Sequence, residues 1–240
     1  MNTEVVDADI ARFASLGVDL PDRHDVLAQS ARFDRARWIA ALPDPRMWPA
    51  ELTDAARDGR WHVVDRATVF DVGARVTREP SEFGAVQLYV AAAVWGTGTS
   101  ARDVPRRMRP LVQDGVVGKL GVALDVLEAD GPVAAYEALS RGGAAHVPYL
   151  GAPFFTKMLY FASASGGGAL VLDRNVVQTL AHAGVVEWNV ERAWTAEQYA
   201  TYLDLVRGWA AHHGTTGDVV ECVLSAVGRE LFRIRNRAAA

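Results

Sequence analysis

Apolar positions recur at helical spacing along most of the chain, and the punctuation between these runs sets the expected elements. The pattern predicts helices at about residues 5–15 and 22–41, a break at Leu42-Pro-Asp-Pro, and a short helix over 49–58. Residues 61–76, Trp61-His-Val-Val-Asp through Val-Phe-Asp-Val, fit short strands or a turn of helix equally well. From Pro80-Ser81 a strongly apolar helix runs to about Trp95, followed by Gly-Thr-Gly-Thr-Ser and an arginine-rich helix from about Ala101. Helices at 115–129 and 132–141 are separated by Asp130-Gly131-Pro132, and Gly142-Gly143 ends the second. A turn over Val147 to Pro153 opens an apolar helix carrying Lys157; a Ser-Gly-Gly-Gly loop and a helix headed by Asp173 follow. Val185 to Asn189 is an apolar connector. Thr195 with Gln198 forms a capping box for a helix over 196–213, and Asp218 caps the last helix. The expected class is all-α.

Composition narrows the chemistry. With 240 residues, half of them apolar, the chain has ample material for a core. No run is long and apolar enough to span a bilayer and no signal-peptide pattern is present, so the expectation is a soluble, cytoplasmic protein; a monomer is expected. The single Cys222 excludes a disulfide framework and a four-cysteine iron–sulfur cluster. The histidines His24, His62, His146, His182 and His212-His213 have no metal-ligand spacing, and no nucleophile elbow, zinc deaminase cysteine pair, dinucleotide fingerprint or P-loop occurs; no metal and no cofactor are expected. Trp38, Trp48 and Trp61 read as core anchors. The net charge of −4 belongs to residues 1–65, with 12 acids against 8 arginines, while residues 66–240 carry 17 of each sign. Two basic patches stand out: Arg102, Arg106, Arg107, Arg109 and Lys119, and the i, i+4 series Arg229, Arg233, Arg237. Each is a solvated helix face or a phosphate-binding surface.

Three residues hold most of the chemical interest. Lys157 and Lys119 are the only lysines among 25 basic residues, and an amine, unlike a guanidinium, can lose its proton and act as a nucleophile. In the first turn of its helix, among Phe154, Phe155, Met158 and Phe161, Lys157 is either a desolvated amine of lowered pKa or a lysine snorkelling from an apolar helix. Asp173 is an N-cap by pattern, a role that also holds a carboxylate rigid. Glu221 interrupts the apolar run Val219-Val220-Glu-Cys222-Val223-Leu224, on the wet edge of a helix or in a pocket.

Turn, lysine-bearing helix, Gly-rich loop and aspartate-headed helix together resemble the helix-hairpin-helix Gly/Pro-Asp superfamily of DNA glycosylases. Leu150-Gly-Ala-Pro-Phe-Phe-Thr-Lys-Met-Leu-Tyr-Phe resembles the central motif of its bacterial 8-oxoguanine glycosylase branch. The likeness is most specific over residues 146–180 and extends more weakly from about Ser81 to Arg237. It departs in three ways: Pro153 stands at the second hairpin glycine, Leu172 where a proline usually precedes the aspartate, and by strict spacing Phe155 falls on the lysine's place.

The resemblance implies two helical subdomains with a cleft between them, divided here into a supporting segment, 1–77, and a core, 78–240, with the hairpin at about 142–163 and the Gly-rich loop and aspartate at about 165–173. It implies double-stranded DNA as partner and excision of a flipped 8-oxoguanine-like base. Lys157 would attack C1′, with possible strand nicking, and Asp173 would steady charge and move protons. Glu221, Phe155 and Phe161 would meet the base. Gly151 amides would hold a phosphate, and Thr97 and Thr99 of the Gly96–Ser100 wedge, with Arg102 and Arg106, would contact DNA. The same likeness leaves open removal of bulky modified bases from phage DNA, an antiviral defence, and a DNA-binding module without catalysis. A helical interaction protein with no DNA role is the remaining reading, for which the acidic N-terminal third argues.

Overall fold

A computed structural model describes residues 16–17, 19–163 and 168–238; the helix expected over 5–15 and positions 165–167 of the Gly-rich loop lie outside the described residues. The chain forms two compact units, one of residues 1–26 with 170–240 and one of residues 27–169. The expected boundary at residue 77 instead falls inside a helix, Arg66–Arg78.

The segment from residue 22 to residue 65 departs most from the pattern of the sequence. The helix expected over 22–41 is a short helix α1 (Arg23–Leu27), a strand β1 (Ser30–Phe33) and a helix α2 (Arg35–Ala41). The helix expected over 49–58 is a single 3₁₀ turn, Ala50–Leu52, followed by β2 (Arg57–Asp58). Strand β3 (Trp61–Asp65) pairs antiparallel with both others in the order β1-β3-β2, with Phe33 opposite His62 and Asp58 opposite Trp61. Gly59 at φ +60° turns the two-residue β2–β3 connection, where other side chains are strained. The fold is therefore mostly helical with a small sheet, not all-α. Pairing across some thirty residues overrode a local helical spacing that nothing else supported.

Asp65 ends β3 and caps α3 (Arg66–Arg78) by accepting from the Thr68 amide at 2.8 Å. The central helix α4 (Gly84–Thr97) is buried from Gly84 to Val94 except at Gln87, as its unbroken apolar sequence requires, and packs against α3 and later helices of the unit. A short helix α5 (Val104–Met108) leads into a 3₁₀ turn, Arg109–Val112, and α6 (Val116–Leu139). Gly131, at φ 86° and ψ −177°, breaks α6 beside Pro132, where Asp130-Gly131-Pro132 predicts it. After a turn, α7 (Ala152–Ala162) runs through the core, so close to α3 that a Cβ at Gly73 would lie 1.9 Å from the Phe161 carbonyl oxygen.

In the first unit the segment Leu170 to Leu172 reaches Asp173, the cap of α8 (Arg174–His182). Helix α9 (Ala196–His212) carries the expected Thr195/Gln198 capping box, and α10 (Gly217–Ala238) packs along both. Asp218 is not a simple cap. It sits within the first turn of α10, fully buried, accepting from Arg23 Nε at 3.2 Å and from the hydroxyl of Thr216.

Candidate active site

The hairpin of the second unit is built by sequence-local rules. The last piece of α6 ends at Ser140, Gly142 takes φ 91°, and Tyr149 adopts φ 67° before Gly151 begins α7 with extended backbone and no side-chain cap. Gly151 is exposed, and its carbonyl accepts from the amides of Phe154 and Phe155. A helix start without a capping side chain presents amides and a positive dipole end to an anion. Two arginines from the stretch before α6 lie at this end of the helix: Arg109 over the Tyr149 ring at 5.6 Å and Arg107 over the Phe154 ring at 3.6 Å.

Lys157 sits one turn into α7 and is 7% exposed, with Nζ donating to the Pro153 carbonyl at 2.8 Å and lying 5.3 Å from the Phe154 ring centroid. Its aliphatic stem lies against Gly96: a Cβ there would come within 3.0 Å of Lys157 Cδ and Cε. The residue is thus folded into its unit, not snorkelling into solvent. The Phe155 ring packs edge-on to Tyr136 at 4.9 Å, and Phe161 lies within 5.4 Å of Phe70, Tyr160 and Trp95. Both rings, expected against a base, are spent on the core of this unit.

Of the expected DNA contacts in this unit, Thr99, Arg102 and Arg106 are exposed. Thr97 ends α4 with a buried hydroxyl that has no hydrogen-bond partner among the described residues, and Gly98 follows at φ 61°. Asp103 accepts from Ser100 at 2.6 Å and from Arg106 at 3.2 Å; the Ser100 bond is the main reason its carboxyl is held below the usual range, with nearby arginines adding to it. Arg107 has a buried Nε with no hydrogen-bond partner among the described residues, and burial lowers its guanidinium from the ordinary value. A cavity of about 470 Å³ in the same unit, lined by Val76, Pro80, Leu124, Asp125 and Glu128 among others, contains none of these residues.

In the first unit, Asp173 accepts through Oδ1 from the amides of Asn175 at 3.0 Å and Val176 at 3.3 Å, so its carboxylate is fixed at a helix start whose dipole favours negative charge. The backbone leading to it is held in turn. Tyr199 Oη donates to the Leu170 carbonyl at 2.9 Å and accepts from the Leu170 amide at 3.0 Å, and Tyr202 Oη donates to the Val171 carbonyl at 3.0 Å. These tyrosines escape sequence reasoning; their spacing of three on α9 marks a helix face, but the backbone they grip lies some thirty residues away. Glu221 is 2% exposed, which removes the wet-edge reading and leaves a buried carboxylate on α10. Lys157 belongs to the second unit, and Asp173 and Glu221 to the first.

The family model for OGG, "Putative 8-oxoguanine DNA glycosylase OGG-like protein", matches residues 24–225, most of the chain. The chain belongs to this OGG-like family. The match confirms the glycosylase branch that the hairpin, Lys157 and Asp173 suggest from sequence, and the mostly helical architecture is consistent with an OGG-like fold. Membership of a DNA glycosylase family implies DNA as the partner. No curated protein and no solved structure matches this OGG-like chain. Among the described residues no helix is long and apolar enough to cross a membrane, and no group of three or more His, Cys, Asp or Glu side chains is arranged to hold a metal ion.

Proposed function

We propose that the protein flips a modified, 8-oxoguanine-like base out of duplex DNA and cleaves its N-glycosidic bond. The observation that carries this reading is the Asp173 carboxylate, held rigid by two amides of its own helix and by the tyrosine-braced segment before it, in a chain of OGG-like family. A fixed carboxylate lowers the barrier because the sugar develops oxocarbenium character as the base departs. Flipping is required because C1′ is out of reach while the base is stacked. The Gly151 end of α7 receives a backbone phosphate, and the Gly96–Ser100 loop enters the gap left by the base.

Lys157 supplies the covalent course. Its neutral amine forms a bond to C1′ as the C1′–N bond to the base breaks; the base leaves with that electron pair and takes up a proton. Transfer of one amine proton to O4′ as the C1′–O4′ bond opens then gives the protonated imine and a free O4′ hydroxyl, from which strand cleavage can follow. This course requires Nζ to leave the Pro153 carbonyl to which it now donates. Because the amine is engaged in this way, a hydrolytic course is the second reading, with Asp173 activating a water.

Borohydride trapping on an 8-oxoguanine·cytosine duplex separates the two. A trapped adduct in wild type, lost in Lys157→Ala, identifies the covalent course. Abasic product without an adduct, lost in Asp173→Asn, identifies the hydrolytic one. Absence of both removes 8-oxoguanine opposite cytosine as the substrate and turns the test to duplexes bearing bulky modified bases of the kind found in phage DNA.

A further inference from the structure

The family match ends at residue 225, but α10 continues to Ala238 and changes character. Its first part is apolar and buried. From residue 229 onward it carries Arg229, Arg233, Arg235 and Arg237 against one acid, Glu230, and residues 233–237 are all exposed, as are Arg229 and Glu230. Arg229, Arg233 and Arg237 advance four residues at a time and so line one face, spanning about 12 Å at 1.5 Å per residue.

Two features show that this is a positioned surface. At Gly228 the helix crosses α8 so closely that a Cβ would lie 2.0 Å from the Asn175 carbonyl oxygen, which anchors the arginine stripe one residue further on, beside the helix start that Asp173 caps. One turn beyond, Phe232 lies under two cations, Arg174 at 5.1 Å and Arg235 at 5.8 Å; Arg174 is ion-paired with Glu191, so the field of this end comes from the arginines of α10. Within the stripe the cations are little neutralised. Arg229 donates to the Ser225 hydroxyl at 3.1 Å, Arg233 meets Glu230 at 3.3 Å with both side chains more than half exposed, and Arg237 has no ion pair among the described residues. An exposed pair of that kind is weak and exchanges readily for a stronger anion.

We propose that this arginine-rich end of α10 is a phosphate-tracking arm that binds the backbone of duplex DNA outside the site of base excision. The inference rests on the glycosylase reading, since DNA is the polyanion that reading supplies, but it assigns DNA contact to a segment beyond the family match. The fit is one of charge and length. A duplex carries one charge per about 1.7 Å of axis, so a 12 Å row of three guanidinium groups has a phosphate within reach of each. The arm reads no bases; it raises affinity for any duplex and holds the protein on DNA while the site samples bases.

The test is the salt dependence of binding to an unmodified 20-base-pair duplex, which needs no knowledge of the excised base. Each lost phosphate contact reduces the slope of log K against log salt by about 0.9, so R229Q/R233Q/R237Q is expected to lower its magnitude by about 2.7 and R229K/R233K/R237K to restore it. Single-turnover excision at saturating protein should be unchanged in both variants. A glutamine variant with the wild-type slope, or a lysine variant that folds normally but fails to restore it, overturns the proposal. Wild-type protein with no salt-dependent duplex binding overturns the glycosylase reading as well, whereas normal wild-type binding and excision with an unaffected glutamine variant overturns the arm alone.

Discussion

Because the Asp173 carboxylate is engaged through Oδ1 by the amides of Asn175 and Val176, its structural and chemical roles can be separated by substitution. An asparagine keeps an oxygen for the amides but carries no charge; an alanine keeps neither. Asp173→Asn is therefore expected to unfold within about 0.5 kcal/mol of wild type and Asp173→Ala about 1 kcal/mol below it, by urea denaturation, with excision lost in both. Equal stability losses would show that the neutral oxygen kept by asparagine contributes nothing to the cap. This residue was legible because capping is local: an aspartate before a periodic apolar run announces its partners two and three positions on. Glu221 was only half legible. Its apolar neighbours are visible in sequence, but its burial depends on helices that pack from elsewhere in the chain.

Two glycines set how closely helices approach, one in each unit. Gly73 lets α3 meet the Phe161 backbone and Gly228 lets α10 meet Asn175. In both cases an added methyl would run into main chain, which cannot swing aside as a side-chain tip can. Gly228→Ala is expected to cost about 3 kcal/mol in urea unfolding, at the upper end of overpacking penalties, where an alanine in an open helix interior would be neutral or stabilising. The elements themselves were mostly readable from residue 84 onward, where caps, Gly-Pro breaks and helical spacing agree: the break at Gly131 and the capping box at Thr195 both lie where the pattern put them. The earlier part was not. Ser30-Ala-Arg-Phe33 has no local signature that beats the helical spacing around it, and it becomes a strand only because β3 lies beside it.

At the scale of the whole molecule, the least legible feature is the composition of the first unit. Its Arg23–Asp218 contact joins residues 195 positions apart, and no periodicity foretells that an N-terminal arginine will meet a fully buried aspartate in the last helix. Removing the arginine leaves Asp218 with Thr216 and a backbone amide as its remaining partners. Arg23→Ala is expected to lower stability by about 2 kcal/mol, and a double-mutant cycle with Asp218→Asn to return a coupling of about 1 kcal/mol; additivity would mean that the contact contributes nothing. The same arrangement orders events during synthesis. Residues 27–169 form a contiguous unit, complete once residue 169 has left the ribosome tunnel, whereas the unit assembled from residues 1–26 and 170–240 must keep its N-terminal piece waiting until the last helix is made. A nascent chain thus acquires its lysine-bearing half first, and the half that carries Asp173 and the arginine arm is completed only after α10 has been made.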